Sequence, residues 1–161
     1  MNGSASIDTD FLIGKISQFN EEHRQYLPEL AKLAGKIEAV HARHPDVPRG
    51  LAGFLQLLTE ALEKHVNMEE SALFPALRQE RTSTAAMPVS DFRNNRDDHE
   101  RRLSHLEVLT NQFTVPSDGC RSWTSLYDRL KVFSIKLRAQ IRLEHEIVFP
   151  HLNARGDTNE K

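Results

Sequence analysis

Two segments of the chain follow one pattern, and their spacing indicates that a helical hairpin occurs twice. The first segment is HVNMEESALFP at 65–75, and the second is QIRLEHEIVFP at 140–150. Each has Glu at its fifth position and ends in Phe-Pro, but the first begins with His65 and the second with Gln140. Equivalent positions lie 75 residues apart. The sequence therefore predicts two similar halves, each supplying a pair of polar residues four positions apart, which share one helix face.

The periodicity of the chain is helical throughout. Apolar residues recur at intervals of three and four along four segments, and no useful length alternates as a β-strand does. Pro, Gly, Ser and Asp interrupt the pattern at 44–50, 81–88 and 115–120. We predict helices at about 8–42, 48–80, 89–113 and 120–152. Long helices with short connections favour an all-α fold, an antiparallel up-and-down four-helix bundle, with residues 1–161 as a single domain.

Composition excludes several classes of protein. The net charge is −2 and the charges are interspersed, so no basic stripe exists for nucleic acid. No signal-peptide pattern is present, and no run approaches the ~20 apolar residues of a membrane span. A single cysteine, Cys120, excludes an internal disulfide and a cysteine metal cluster. We therefore expect a soluble, cytoplasmic protein without nucleic-acid or membrane partners, while its oligomeric state stays open.

Each predicted helix carries polar residues within its apolar stripe. They are His23, His65 with Glu69, His99, and Gln140 with Glu144. Positions equidistant from the turn of an antiparallel hairpin lie at one level. His23 and His65 are equally far from position 44, Glu69 and His99 from position 84, and His99 and Gln140 from positions 119 and 120. These side chains are therefore predicted to converge on one layer of the core.

This layer has the donors of a metal site. A buried Glu is costly unless its charge is compensated, although a hydrogen-bonded network or a stripe turned toward solvent would explain any single residue. Imidazole and carboxylate without thiolate suit iron, manganese or zinc, and five ionisable candidates are too many for one closed zinc site. Glu69 and Glu144 come from different halves and can bridge two cations. We therefore predict a pair of irons with open positions for dioxygen or nitric oxide.

Five other histidines are predicted to be surface or loop residues. They are His41, His44, His105, His145 and His151. His44, for example, lies 21 residues beyond His23, roughly 30 Å along a helix. Tyr26 is three residues after His23 and is expected to pack in the core, with a place near the site as the alternative.

The ordered motifs resemble the hemerythrin-like (HHE) family, and more closely its branch of di-iron proteins for repair of iron centres (RIC). The matching segments are HRQYLPEL at 23–30, HPDVPRGL at 44–51, HVNMEESALFP, DDHE at 97–100 and the LExxxVFP pattern within 143–150. The resemblance covers about residues 10–152. It implies a four-helix bundle with a non-haem di-iron centre, in which His23, His65 and His99 are ligands and Glu69 and Glu144 are bridges.

The resemblance also implies a function in the nitrosative and oxidative stress response. The protein would bind nitric oxide or oxygen species, or supply iron to damaged iron–sulfur proteins. Alternatives are a module that senses or buffers a gas without turnover, and an iron-storage bundle. Reversible oxygen carriage is less favoured, because Leu103 lies four residues after His99, where oxygen carriers usually have a second histidine. Whether the protein is an enzyme stays open.

Gln140 departs from the family pattern, which has His at this position. Its amide oxygen is neutral and a poorer donor to iron than imidazole. Three interpretations remain open. Gln140 binds the metal weakly, or a water molecule lies between Gln140 and the metal, or the site keeps only one iron. A second departure from the family concerns the N-terminus. Longer family members also carry a small N-terminal domain that contains cysteine. Because the first helix is predicted to begin near residue 8, we expect this chain to lack that domain.

Overall fold

A computed structural model of the chain describes residues 8–78 and 89–152. These residues form helices and no strands. The helices are α1 (Thr9–Val40), α2 (Leu51–Met68), α3 (Phe74–Leu77), α4 (Val89–Leu109) and α5 (Arg121–Leu143). A π-helical turn, Glu69–Leu73, joins α2 to α3, and a second one, Glu144–Val148, continues α5. Because α2 and α3 form one continuous segment, the described residues build four long helical segments.

These segments form an antiparallel bundle in the ring order α1, α2, α4, α5. Helix α1 packs against α2 and α5, and α4 packs against the same two helices. Glu38 near the end of α1 accepts the backbone N–H of Ala52 near the start of α2. Asn95 near the start of α4 donates to the sulfur of Met68 at the end of α2. The predicted all-α, up-and-down bundle is confirmed.

Helix α4 ends earlier than the predicted 113. Its last helical residue is Leu109, and Asn111, Gln112 and Phe113 have φ values of 50°, 56° and 57°. Residues in the left-handed region end a helix, because their backbone no longer continues its hydrogen bonds. The hydroxyl of Thr110 accepts the backbone N–H of Phe113 at 3.1 Å and stabilises the stop. The predicted break at 81–88 and the predicted helix end at 80 lie outside the described residues.

The two Phe-Pro sequences explain why both carboxylate-bearing segments leave α-helical geometry. A proline inside a helix lacks an N–H group, and its ring clashes with the carbonyl four residues earlier. Just before Pro75 and Pro150, the backbone N–H reaches five residues back, from Phe74 to Glu69 and from Phe149 to Glu144. The wider turn makes room for the ring. Each π turn begins at the carboxylate residue, so both halves position that residue by the same local geometry.

Two apolar clusters fill the bundle on either side of a buried polar layer. The larger cluster includes Leu55, Leu103 and Trp123, and the smaller one includes Ile16 and Val148. Burial of apolar surface contributes about 25 cal/mol per Å², so these clusters rather than the polar layer hold the helices together. Among the described helices, none combines the length and the apolar character that crossing a membrane requires.

Gly119 closes the turn that returns the chain into α5, and it has no room for a side chain. A Cβ there would clash with the side chain of Val115 and lie 3.0 Å from the Pro116 carbonyl oxygen. Gly119→Ala is therefore expected to lower the free energy of unfolding by about 1–3 kcal/mol. Gly14→Ala is the control, because Gly14 lies in α1 with open space around it.

We expect Gly14→Ala to raise the free energy of unfolding by about 0.5–1 kcal/mol, since alanine favours helix. Urea denaturation of the two variants beside the wild type measures both effects. A Gly119→Ala variant as stable as the wild type would contradict the close packing of this turn.

Candidate metal centre

Seven polar side chains lie in one layer of the core, and each is between 0% and 6% exposed. They are Asn20, His23, His65, Glu69, His99, Gln140 and Glu144. Six of them are the residues predicted to converge here, and they come from all four helical segments. The structure thus brings every predicted residue into the same layer and adds Asn20.

His65, Glu69 and Glu144 form the tightest group within the layer. One potential ligand atom of each residue lies within 4.8 Å of the other two. His65 Nε2 is 3.2 Å from Glu69 Oε2 and 3.3 Å from Glu144 Oε1. Glu69 lies one turn after His65 on the same face of its helical segment, whereas Glu144 comes from the other half of the chain. One imidazole therefore faces a carboxylate from each half.

His99 lies beside this group and brings a second imidazole. Its ring centroid is 5.0 Å from that of His65, and the two rings are nearly perpendicular. Its Nδ1 lies 3.1 Å from a guanidinium nitrogen of Arg102. Its Nε2 is buried and has no hydrogen-bond partner among the residues that the structure describes. A buried polar atom without a partner costs about 1–3 kcal/mol. A metal ion at Nε2 would remove that cost once Arg102 moves away from Nδ1 and the ring proton shifts to Nδ1.

The donors on this side of the layer fit a transition-metal ion. We call them the four-donor group: His65, Glu69, His99 and Glu144. Two imidazoles and two carboxylates suit a divalent cation such as iron, manganese or zinc, and the carboxylates would balance its charge. The buried, unpartnered nitrogen of His99 is the structural observation that supports this fit.

The other side of the layer is connected by hydrogen bonds. His23 Nε2 lies 3.1 Å from Gln140 Oε1, and the Gln140 amide donates to Asn20 Oδ1 at 3.1 Å. The Asn20 amide in turn donates to Glu69 Oε1 at 2.8 Å. We call these residues the amide network: Asn20, Gln140 and His23. The network ends on a carboxylate of the four-donor group.

Sequence reasoning missed two residues of this region. In α1 it did not single out Asn20, which the structure buries, while the neighbouring apolar residue Phe19 is partly exposed. Asn20 lies three residues before His23 and so shares its face, which is the signal that could have found it. Arg102 lies three residues after His99 and contacts it for the same reason.

The histidines predicted to lie outside the layer have other surroundings where contacts are described. His41 Nε2 lies 3.3 Å from Cys120 Sγ, and His44 Nε2 lies 2.9 Å from Asp118 Oδ1, both near the loops at one end of the bundle. His105 is exposed.

Tyr26 does not pack in the core as expected. Its side chain is 46% exposed and lines a surface groove that extends to His23.

Burial and neighbouring charges give the histidines of the layer different pKa values. Burial lowers the pKa of His65, but Glu144 and Glu69 outweigh that effect and raise it to about 10. Burial and then the charge of Glu144 raise the pKa of Glu69 to about 7. Burial and then the charge of His65 lower the pKa of His99 to about 3, and burial also lowers the pKa of His23. In the metal-free protein, protonated His65 therefore supplies one positive charge beside the buried carboxylates of Glu69 and Glu144.

The fold and this donor set agree with the family to which the sequence is similar. Residues 13–152 match the family described as "Hemerythrin HHE cation binding domain". The chain belongs to this hemerythrin family. The predicted resemblance is confirmed, and the chain carries a metal-binding domain whose buried His65, Glu69 and Glu144 could hold a metal ion.

Two curated relatives extend this assignment to the repair branch. The iron-sulfur cluster repair protein YtfE of Cronobacter sakazakii is 39% identical over 133 residues, which cover 83% of this chain and 60% of the relative. The protein of the same name from Citrobacter koseri is 36% identical over 135 residues, which cover 84% of this chain and 61% of the relative. This hemerythrin-family chain thus matches about three fifths of the length of these relatives.

The raised pKa of His65 predicts how pH affects the stability of the metal-free protein. Its pKa is about 10 in the folded state and about 6.5 when unfolded, so the folded chain binds this proton more tightly. That stabilisation is complete below about pH 6.5 and is lost as the pH rises toward 10. We expect the free energy of unfolding to fall by up to about 1.4 kcal/mol per pH unit between about pH 8 and 9, a range above the pKa of about 7 of Glu69.

Urea denaturation of chelator-treated protein across this range measures the slope. The opposite shift of His99 acts only below its unfolded pKa of about 6.5 and therefore leaves this range unaffected. The double variant His65→Gln/Glu69→Gln should flatten the slope, because it also removes the carboxyl group whose pKa rises when His65 is lost. His105→Gln should keep the slope, because His105 is exposed. Equal slopes in the wild type and in the double variant would contradict the assignment of this proton.

Proposed function

We propose that this chain is an iron-binding protein of the nitrosative and oxidative stress response that supplies iron for the repair of iron–sulfur clusters. The observation that carries the proposal is the buried group His65, Glu69 and Glu144 beside the unpartnered Nε2 of His99. Relatives named iron-sulfur cluster repair proteins support this choice among the functions of the family. Its partners would then be proteins with damaged iron–sulfur clusters.

The four-donor group would hold the iron. Iron suits a mixture of imidazole and carboxylate ligands, and it would supply the cargo for cluster repair as well as affinity for diatomic molecules. The carboxylates of Glu69 and Glu144 balance positive charge within the core. The apolar clusters on both sides of the layer exclude water, so an ion enters and leaves past side chains of the layer rather than through the ends of the bundle.

A proton and a metal ion compete for His65. Because the pKa of His65 is about 10 in the metal-free protein, binding of a metal at its Nε2 requires the loss of a proton near neutral pH. Metal affinity therefore decreases as the pH falls, as is general for sites whose ligands must be deprotonated. Protonation of His65 also restores a cation beside Glu69 and Glu144 when iron leaves. This exchange supports iron release without a large penalty from buried charge.

A surface groove favours gas binding as a second candidate function. A cavity of about 320 Å³ between α1 and α5 extends from the surface to His23. Its lining includes the apolar side chains of Leu30, Val132 and Phe133. A small uncharged molecule such as nitric oxide or dioxygen could reach the layer along this surface. The protein would then bind, sense or buffer the gas without turnover.

Anaerobic loading with iron(II) tests the proposed function. We expect the desalted wild-type protein to retain iron and to restore the activity of an enzyme whose iron–sulfur cluster has been oxidatively damaged. His65→Leu should lose both properties, because it removes a donor that faces both carboxylates. His105→Gln is the matched control and should keep both properties, since His105 is exposed.

The two candidate functions give different results in the same samples. Iron retention without reactivation, combined with a spectral change on addition of nitric oxide, would favour gas binding. A wild-type protein that retains no iron after loading would contradict both functions.

A further inference from the structure

We propose that the layer holds a single metal ion in the four-donor group, and that the amide network fills the place of a second ion. This inference rests on the proposed metal-binding function and replaces the bridged pair of irons that the sequence predicts. Four contacts within the layer carry it, and each involves either Glu69 or Gln140.

The two oxygens of Glu69 have different partners. Its Oε2 lies 3.2 Å from His65 Nε2, on the side of the four-donor group. Its Oε1 accepts a hydrogen bond from the Asn20 amide at 2.8 Å. A carboxylate that bridges two metal ions offers one oxygen to each ion. In this protein the Asn20 amide, whose hydrogens carry partial positive charge, lies against the oxygen that a second ion would need.

The direction of the hydrogen bonds determines the state of His23. The ionised carboxylate of Glu69 only accepts, so Asn20 presents its NH₂ group to Glu69 and its oxygen to Gln140. Gln140 then presents its NH₂ group to Asn20 and its oxygen to His23. Nε2 of His23 must therefore donate, and a protonated nitrogen has no lone pair for a metal.

Reversing the network does not free His23. Protonation of Glu69 at Oε1 would allow both amides to turn, because Glu69 could then donate to Asn20. Gln140 would present its NH₂ group to His23, whose Nε2 would accept that hydrogen bond through its lone pair. In either direction, the amide network occupies the nitrogen of His23 that faces Gln140.

The 3.1 Å between His23 Nε2 and Gln140 Oε1 does not decide the question alone, since two ligands of one ion can be equally close. The contacts of Asn20 decide it, because they tie Gln140 and Glu69 into the same network. The ligands available to a second metal ion also favour a single ion. A second ion would meet a neutral amide oxygen in place of an imidazole, and even the loss of an outer-shell partner lowers metal affinity about 10–100-fold.

Charge balance supports one ion as well. Glu69 and Glu144 are the only carboxylates buried in the layer among the described residues. Both already face His65 in the four-donor group. A second divalent ion would add positive charge beside Asn20, Gln140 and His23, none of which supplies a compensating negative charge. The neutral amide network avoids this cost.

Metal stoichiometry tests the inference. The wild type, Gln140→His and Gln140→Leu are loaded anaerobically with iron(II), desalted and analysed for iron, and the oxidised samples are examined by electron paramagnetic resonance. We expect the wild type to hold about one iron per chain, with the signal of an isolated ferric ion. Gln140→His should approximately double the iron content and lose this signal, because two coupled ferric ions are silent.

Gln140→Leu is the matched control, since it breaks the amide network without supplying a ligand. It should keep the single ion, and loss of that ion would show that iron binding depends on Gln140 and would overturn the inference. Two coupled irons in the wild type would also overturn it while leaving iron binding intact, as would an unchanged iron content in Gln140→His. Absence of iron from the wild type and from Gln140→His would instead contradict the proposed function.

Discussion

The chemistry of the polar layer depends on two buried carboxylates that face one imidazole. Glu69 is 0% and Glu144 is 4% exposed, and both face His65. An ionised carboxylate in such a place costs several kcal/mol unless a cation accompanies it. The proton of His65 provides that cation in the metal-free protein, and a metal ion can replace it. Two apolar clusters pack the helices together above and below the layer, so the helices have contacts that involve neither this proton nor a metal ion.

The repeat and the turn positions were sufficient to predict the fold and the level of the polar residues. Both depend on rigid quantities, namely the rise of an α-helix and the return of the chain at each turn. The six predicted residues accordingly share one layer, although they are spread from His23 to Glu144. Family membership, inferred from the same motifs, is confirmed by the match over residues 13–152. Periodicity alone predicted which residues meet, but not which atoms bond.

The details that sequence reasoning missed depend on small rotations and local contacts. Whether Phe19 or Asn20 faces the core is a rotation of one residue about the axis of α1, and helical periodicity does not resolve it. The π turns arise from steric conflict between a proline ring and a backbone carbonyl, which a count of apolar intervals ignores. The early end of α4 depends on three left-handed residues and the hydroxyl of Thr110. None of these features changes the hydrophobic pattern.

The asymmetry between the two halves gives the layer two kinds of chemistry. On one side, His65 would exchange its proton for a metal ion under the proposed function, so its occupancy would respond to pH and to metal supply. On the other side, Asn20 and Gln140 are amides that do not ionise, so their hydrogen bonds persist when that exchange occurs. Because Asn20 donates to Glu69 Oε1, the other oxygen of Glu69 is directed toward His65. Under the proposed function, the amide side would therefore pre-organise a ligand for the metal side and lower the entropy lost when an ion binds.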